Sequence, residues 1–335
     1  MSEPDIQVTP RVSVIVPTYN GEKFIERALK SALNQTFRDF EIIVVDDASS
    51  DRTKEKVRAL AEKDRRIKLI ELTQNSGGGA VPRTVGCKAV QGELVAFLDQ
   101  DDLYMPEYLE TKIAYFDIHP EIESLSSLAW TFNDETKKII NYEYGGPVNT
   151  MMRASALKAA GYFKASETNI DDMGMGYRFL KIYGLKSSAM ISGGPLTLYA
   201  RHGNQESNTQ NRNPSIFIKR IDAALVSMDD NASDPGIKDI LSVLYSRKAN
   251  FYCLAGDFKQ GRNFFKKSLK IKFNFFSLPL LMVSYFPYFY YTFFSVSRFF
   301  QIKILGKIKV AINKMKYNKS YRNAEDILVQ LFEVA

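Results

Sequence analysis

The sequence predicts an α/β chain: a Rossmann-like, mostly parallel sheet with flanking helices, followed by an α-helical C-terminal region. Three observations predict it. The first 130 residues alternate short β-branched runs with longer helical patterns, the β-branched runs are almost continuously apolar, and three of the four end in acidic or turn-forming residues. Continuous apolar runs belong to parallel strands covered on both faces. Alternation of β and α elements at this spacing calls for right-handed crossovers, and ligands of such sheets bind beyond the carboxyl ends of the strands.

Strands are expected at 12–16, 41–45, 67–72 and 94–98, and helices at 22–34, 52–63 and from about 81 to 90. From about 124 to 202 the pattern is mixed, with strand-like stretches at 125–132, 148–152 and 196–201 and a helix at 172–183. After about Pro214 the character turns helical, and 241–254 with 258–271, joined around Gly256, read as a helical hairpin. The expected division is therefore 1–214 and 215–335.

The 335 residues carry a net charge of +7 that is unevenly spread. Between Lys259 and Arg322 there are fourteen Lys and Arg and no acid, which leaves 31 basic and 38 acidic residues elsewhere. A basic segment on an acidic body suggests an anionic partner. No RNA-binding or zinc-finger signature accompanies it, so a membrane surface is expected rather than nucleic acid. Within the basic segment, 273–297 has no formal charge and eleven aromatic residues, but Pro279 and Pro287 interrupt it. Both flanks are basic, so nothing orients a span; the composition suits an interfacial segment, with packing on the protein's own body or a true span as alternatives. Cys87 and Cys253 fit no metal or disulfide framework, and the polar MSEPDIQVTP start shows no signal peptide, so a cytoplasmic location is expected, peripheral on the membrane's inner face.

Chemistry is expected at the strand ends. Asp99-Gln100-Asp101-Asp102 follows an apolar strand. Three carboxylates so close repel one another unless a cation offsets them, and they suit Mg²⁺ or Mn²⁺. Such an ion bridges the phosphates of a nucleotide-sugar and stabilises a leaving diphosphate. A solvated turn capping the next helix is the alternative. Asp46-Asp47 stands at a second strand end, suited to a base edge or a ribose hydroxyl, or else to a helix cap. Pro17, Tyr19 and Asn20 follow the first strand and suit one wall of a nucleotide pocket. The glycines in Asn75-Ser76-Gly77-Gly78-Gly79 match neither a Walker loop nor a dinucleotide fingerprint, but they let backbone approach a ligand, with Arg83 within reach of a nucleotide.

Taken together, VSVIVPTYNGEKFIERALKSALNQTF, EIIVVDDASSDRT and NSGGGAVPRTVGCKAVQGELVAFLDQDD resemble the N-terminal half of family 2 glycosyltransferases, which have the GT-A fold. With its later motifs the resemblance covers about the first 205 residues, and 1–214 is expected to be the catalytic domain. It implies that Pro17, Tyr19 and Asn20 wall the nucleoside and that an acid of Asp46-Asp47 binds the base. Asp99-Gln100-Asp101 is implied as the metal-binding Asp-x-Asp element, with Asp102 a further metal contact. Asp171-Asp172, followed by Arg178, looks like the family's Glu-Asp pair, so Asp172 is implied as the general base; Asp171 departs from the usual Glu. Deprotonating an acceptor hydroxyl as it attacks the anomeric carbon suits a carboxylate; an acidic helix start is the alternative. Tyr199-Ala200-Arg201-His202-Gly203-Asn204 looks like the element ending many such domains, and His202 or Arg201 is implied at the metal or diphosphate. Processive members carry Gln-x-x-Arg-Trp, whereas the only tryptophan here is Trp130, preceded by Ser127, Leu128 and Ala129.

The expected function is inverting, non-processive transfer from a nucleotide-diphosphate-sugar, foremost a UDP-sugar, to a glycan or lipid-linked acceptor. A nucleotidyltransferase is the nearest rival, but it would need a glycine-rich basic loop after the first strand. A catalytically silent scaffold for nucleotide or lipid is the other.

Overall fold

The computed structural model describes residues 9–144, 146–165, 171–202 and 235–272, with single positions between 215 and 225, 278 and 285, and 322 and 328. The chain divides into one unit of Met1–Arg201 with Lys314–Ala335 and a second of His202–Asn313. The division differs from the sequence expectation of 1–214 and 215–335, because the C-terminal stretch is grouped with the first unit.

In the first unit, β1 (Val12–Thr18), β2 (Phe40–Asp46), β3 (Ile67–Glu71) and β4 (Leu94–Phe97) alternate with α1 (Ile25–Leu33), α2 (Thr53–Ala61) and α3 (Ala80–Ala89). They are followed by β5 (Leu103–Tyr104), α4 (Tyr108–Ile118), β6 (Ser124–Asn133), β7 (Lys138–Tyr144), β8 (Thr150–Arg153), α5 (Ala154–Ala159), α6 (Asp171–Tyr183) and β9 (Ser188–Arg201). The sheet order is β3-β2-β1-β4-β8-β6-β9-β5, with β7 paired to β6. β1 lies parallel to β2 and β4, and β2 parallel to β3. Beyond β4 the sheet turns antiparallel through β8, and β6 and β9 then run parallel.

The apolar runs explain this arrangement. Every residue of β1 and β2 is buried, as strands covered on both faces require. Val12, Val14 and Val16 face one core with α1 and α4, and Ile15 faces the other with α3, α5 and α6. Each such side chain contributes roughly 1.5–3 kcal/mol on burial. A third cluster joins Leu103, Met105, Trp130, Phe132 and Leu198 to Ala324 and Leu328, with Ile327 packed against it.

Lys112 of α4 is fully buried. Its Nζ donates to the carbonyls of Leu125 at 3.0 Å and Asn149 at 2.5 Å. Burial holds its pKa well below the ordinary lysine range. The unfolded chain therefore binds a proton that the native state lacks between the lowered value and about 10.4, and stability rises with pH across that window. Urea titrations at a series of alkaline pH values should show this rise. In Lys112→Met it should be lost, with a net destabilisation of roughly 1–3 kcal/mol from the two abandoned carbonyls.

In the second unit, α7 (Pro235–Leu254) and α8 (Phe258–Ile271) form the expected hairpin. It turns at Gly256, where φ is +90°, and Asp257 caps α8 by accepting from the Gln260 amide. Ala249, Cys253 and Phe265 are its core, while Lys259, Lys266 and Lys270 are exposed on α8. Among the described residues no helix is long and apolar enough to cross a membrane, and most of 273–297 lies outside them.

Candidate active site

The loops after β1, β2 and β4 lie at one edge of the sheet and are bonded to one another. Gln100 joins the first to the third: its Oε1 accepts from Thr18 Oγ1 at 2.6 Å and the Tyr19 amide at 2.9 Å, and its Nε2 donates to the Tyr19 carbonyl. A Cβ at position 21 would meet the Gln100 side-chain amide and Thr18 Oγ1 at under 3.0 Å, so a larger residue there would displace Gln100 from these bonds. Asn20, at φ +46°, joins the first loop to the second. Its amide donates to Ser49 Oγ at 2.9 Å and its Oδ1 accepts from the Ser50 amide at 2.9 Å. Tyr19 is left 45% exposed at this edge, whereas Pro17 is buried within β1. Tyr19 thus offers a ring to a ligand, and Pro17 shapes the strand end.

The acids of the second loop have separate partners. Asp47 accepts from the Ser76 amide and hydroxyl and from Asn75 Nδ2, fastening the glycine-rich loop. Asp46 is fully buried; its Oδ1 accepts from the Ser49 amide at 2.9 Å, and its Oδ2 has no partner among the described residues. Ala48, between these contacts, has φ +62°, a left-handed conformation that strains a side-chain-bearing residue. Ala48→Gly should therefore raise stability by about 0.5–1 kcal/mol, read as a higher urea midpoint at unchanged slope.

The acids of the third loop diverge. Asp99 pairs with Arg83 of α3 at 2.7 Å, both partly buried. The carbonyl of Asp101 accepts from Arg27 Nη2 at 3.2 Å. Asp102 turns inward: its Oδ1 accepts from the Ala200 amide of β9 at 2.8 Å, and its buried Oδ2 has no partner among the described residues. Burial first, then the Asp101 and Asp99 charges, raise its pKa well above the usual carboxylate range, with Arg201 acting in the opposite sense. The Tyr199 hydroxyl is likewise pushed up, by burial first and then by the Asp102 and Asp99 charges; Arg201 stacks on its ring at 4.7 Å.

Among the described residues no three His, Cys, Asp or Glu side chains converge as a complete metal cage. Mg²⁺ bound with substrate phosphates needs only one or two carboxylates. The partly exposed Asp99, beside a buried acid with an orphaned oxygen, fits that requirement.

Asp171 and Asp172 are the first residues of α6; their side chains lie outside the described residues. His202 follows directly on β9 and is the first residue of the second unit. Sequence reading missed Arg27 and its ion-pair partner Asp134, 2.5 Å away. The available signal was a charged residue inside the buried stripe Ile25, Ala28, Leu29 and Ala32 of α1.

Comparison with known proteins supplies the family. The model of glycosyl transferase family 2 matches residues 13–179, about half of the chain. An uncharacterized glycosyltransferase of Haemophilus influenzae is 35% identical over 106 residues, 32% of this chain and 42% of that protein. The poly(ribitol-phosphate) β-N-acetylglucosaminyltransferase TarS of Staphylococcus aureus is 43% identical over 111 residues, 32% of this chain and 19% of that protein. The chain thus spans less than half the length of these relatives. The crystal structure of TarS residues 1–349 with UDP-GlcNAc superposes with a TM-score of 0.64 at 23% identity, covering 84% of this chain and 89% of that one. The Pyrobaculum calidifontis mannosyltransferase PcManGT, in complex with GDP-Man and Mn²⁺, gives 0.57 at 17% identity, covering 97% and 86%. At such identities the structural likenesses establish the fold, which is GT-A, and the matched motifs of residues 13–179 establish the family. The chain belongs to glycosyltransferase family 2.

Proposed function

We propose that this chain is an inverting, non-processive glycosyltransferase that moves a sugar from a nucleotide-diphosphate donor to an acceptor hydroxyl during cell-surface glycan assembly. The observation that carries the reading is the knitted edge: three strand-end loops, joined through Gln100 and Asn20, bring Tyr19, the Asp46-Asp47 pair and the Asp99–Asp102 acids together. TarS bound to UDP-GlcNAc and PcManGT bound to GDP-Man and Mn²⁺ share the fold, which supports a nucleotide-sugar donor, foremost a UDP-sugar.

In this reading Tyr19 and Asn20 wall the nucleoside, with Pro17 beneath them, and an acid of the Asp46-Asp47 pair receives the base. Asp47 reaches the base by exchanging its bonds to Asn75 and Ser76. Asp99, Asp101 and Asp102 would hold Mg²⁺ or Mn²⁺, and the ion would offset the charge of the departing diphosphate. Arg83 leaves Asp99 for the phosphates, and Gln100 keeps the acid loop against Tyr19. Asp172 takes the proton of the acceptor hydroxyl as that oxygen bonds to the anomeric carbon and the nucleotide leaves from the opposite face. Asp171 supports it. A single displacement inverts the anomeric centre. The exposed Lys259, Lys266 and Lys270 of α8 support docking on the anionic inner face of the cell membrane, near a glycan or lipid-linked acceptor.

The test is a thermal-shift screen of UDP- and GDP-sugars with and without Mn²⁺. A ligand at about a hundred times its Kd stabilises the native state by roughly 2.7 kcal/mol. At least one sugar nucleotide should raise Tm in an Mn²⁺-dependent way that Asp99→Ala removes. No shift with any of them would refute the reading.

A further inference from the structure

A cavity of about 400 Å³ lies between α6 and the face of the sheet formed by β8, β6 and β9. One wall is apolar, with Met175, Phe179 and Leu180 from α6 and Phe97 and Met152 from the sheet. The other carries hydroxyls. Strand register sets Ser126 beside Thr150 and Ser124 beside Ser188, so four hydroxyl-bearing residues from three neighbouring strands line the sheet side. Ser126 and Thr150 bond to each other at 3.2 Å, while the hydroxyls of Ser124 and Ser188 have no partner among the described residues. The lining contains no charged side chain among the described residues.

Gly176 supplies the independent observation. It stands inside α6, where glycine is a poor helix former. Yet a Cβ built on it would meet nothing within 4 Å, so packing does not demand the missing side chain. Its effect is to keep the cavity open. The cavity is also close to the proposed chemistry in the chain: Phe97 is two residues before Asp99, and Gly176 is four residues after Asp172, about 6 Å along a helix axis.

Resting on the transferase reading, we propose that this cavity is the subsite for an uncharged sugar ring of the acceptor. A charged group would find no counter-charge here, and a hydrocarbon tail would leave the Ser124 and Ser188 hydroxyls unpaired at a cost in free energy. A neutral pyranose satisfies both walls. Its C–H face lies against Phe97, Met175 and Phe179, and its peripheral hydroxyls meet Ser124, Ser126, Thr150 and Ser188.

Saturation-transfer NMR on the full chain tests this with methyl glucoside, methyl galactoside and methyl N-acetylglucosaminide as probes and 1-octanol as the apolar comparison. At least one glycoside should bind with a millimolar Kd. Gly176→Met, which fills the space, should weaken it by about tenfold or more, and Ser124→Ala with Ser188→Ala by roughly fivefold. The Mn²⁺-dependent shift by a sugar nucleotide should persist in all variants. Binding of octanol but of no glycoside, or glycoside binding unchanged in both variants, overturns the subsite. Glycoside binding that responds to the variants in a chain indifferent to every sugar nucleotide keeps a saccharide site and overturns the transferase reading instead.

Discussion

Asp172→Asn is expected to slow transfer by about a thousandfold, within the range a positioned general base contributes, and to leave the donor's KM unchanged. The amide keeps the shape of the carboxylate but cannot take the acceptor proton, so the loss falls on kcat. The substitution should not disturb the fold. α6 is held farther along, where Arg178 Nε donates to the Ala160 carbonyl at 2.8 Å and its Nη2 donates to the Tyr162 carbonyl. Met175 and Phe179 also anchor it in the second core. Asp171→Asn should cost much less, since that residue is assigned no proton. The check is steady-state transfer with product quantified, beside sugar-nucleotide binding by thermal shift. Transfer at the parental rate in Asp172→Asn would move the base elsewhere.

β1, β2 and β4 were legible because each is an apolar run buried along its whole length, as in a sheet covered on both faces, whereas β3 exposes Lys68 and Glu71 and was legible from Ile67, Leu69 and Ile70 alone. The C-terminal half was harder to read. β9 runs from Ser188 to Arg201, but only 196–201 reads as strand, because Gly193, Gly194 and Pro195 break the pattern. At that point the pairing with β6 shifts register, and Gly194 takes φ +134°. β5 is two residues long, too short for any periodic signal. The site shows the same limit. The sequence places Asp99, Gln100, Asp101 and Asp102 together, but a turn sends neighbouring side chains in different directions, and tertiary partners decide which. Asp99 meets Arg83, Gln100 meets the β1 loop, and Asp102 meets β9. Asp47 reads as a base contact, and its bonds to Asn75 and Ser76 depend on a loop 28 residues away.

Arg27→Met should destabilise the first unit by about 3 kcal/mol, the low end for breaking a buried ion pair from one side. The guanidinium is 9% exposed and Asp134 14%, with 2.5 Å between them. Removing the arginine leaves a carboxylate that is mostly out of water. Lys137, 3.3 Å from the same oxygen, offsets part of that loss, which is why the upper end of the range is not expected. The methionine retains an apolar stem between the Phe24 and Phe132 rings, whose centroids lie 5.0 and 5.9 Å from the guanidinium carbon. For a unit of this size the change corresponds to a Tm lower by roughly 6–12 °C. Arg27→Met with Asp134→Leu should recover most of it, because no charge is then stranded. Function should not recover with it. Arg27 also donates to the Asp101 carbonyl, so both variants release the backbone of the acid loop and should require more Mn²⁺ for half-maximal transfer. Recovery of stability and Mn²⁺ dependence together in the double variant would reduce Arg27 to a packing residue, whereas recovery of stability alone identifies it as the brace of the acid loop.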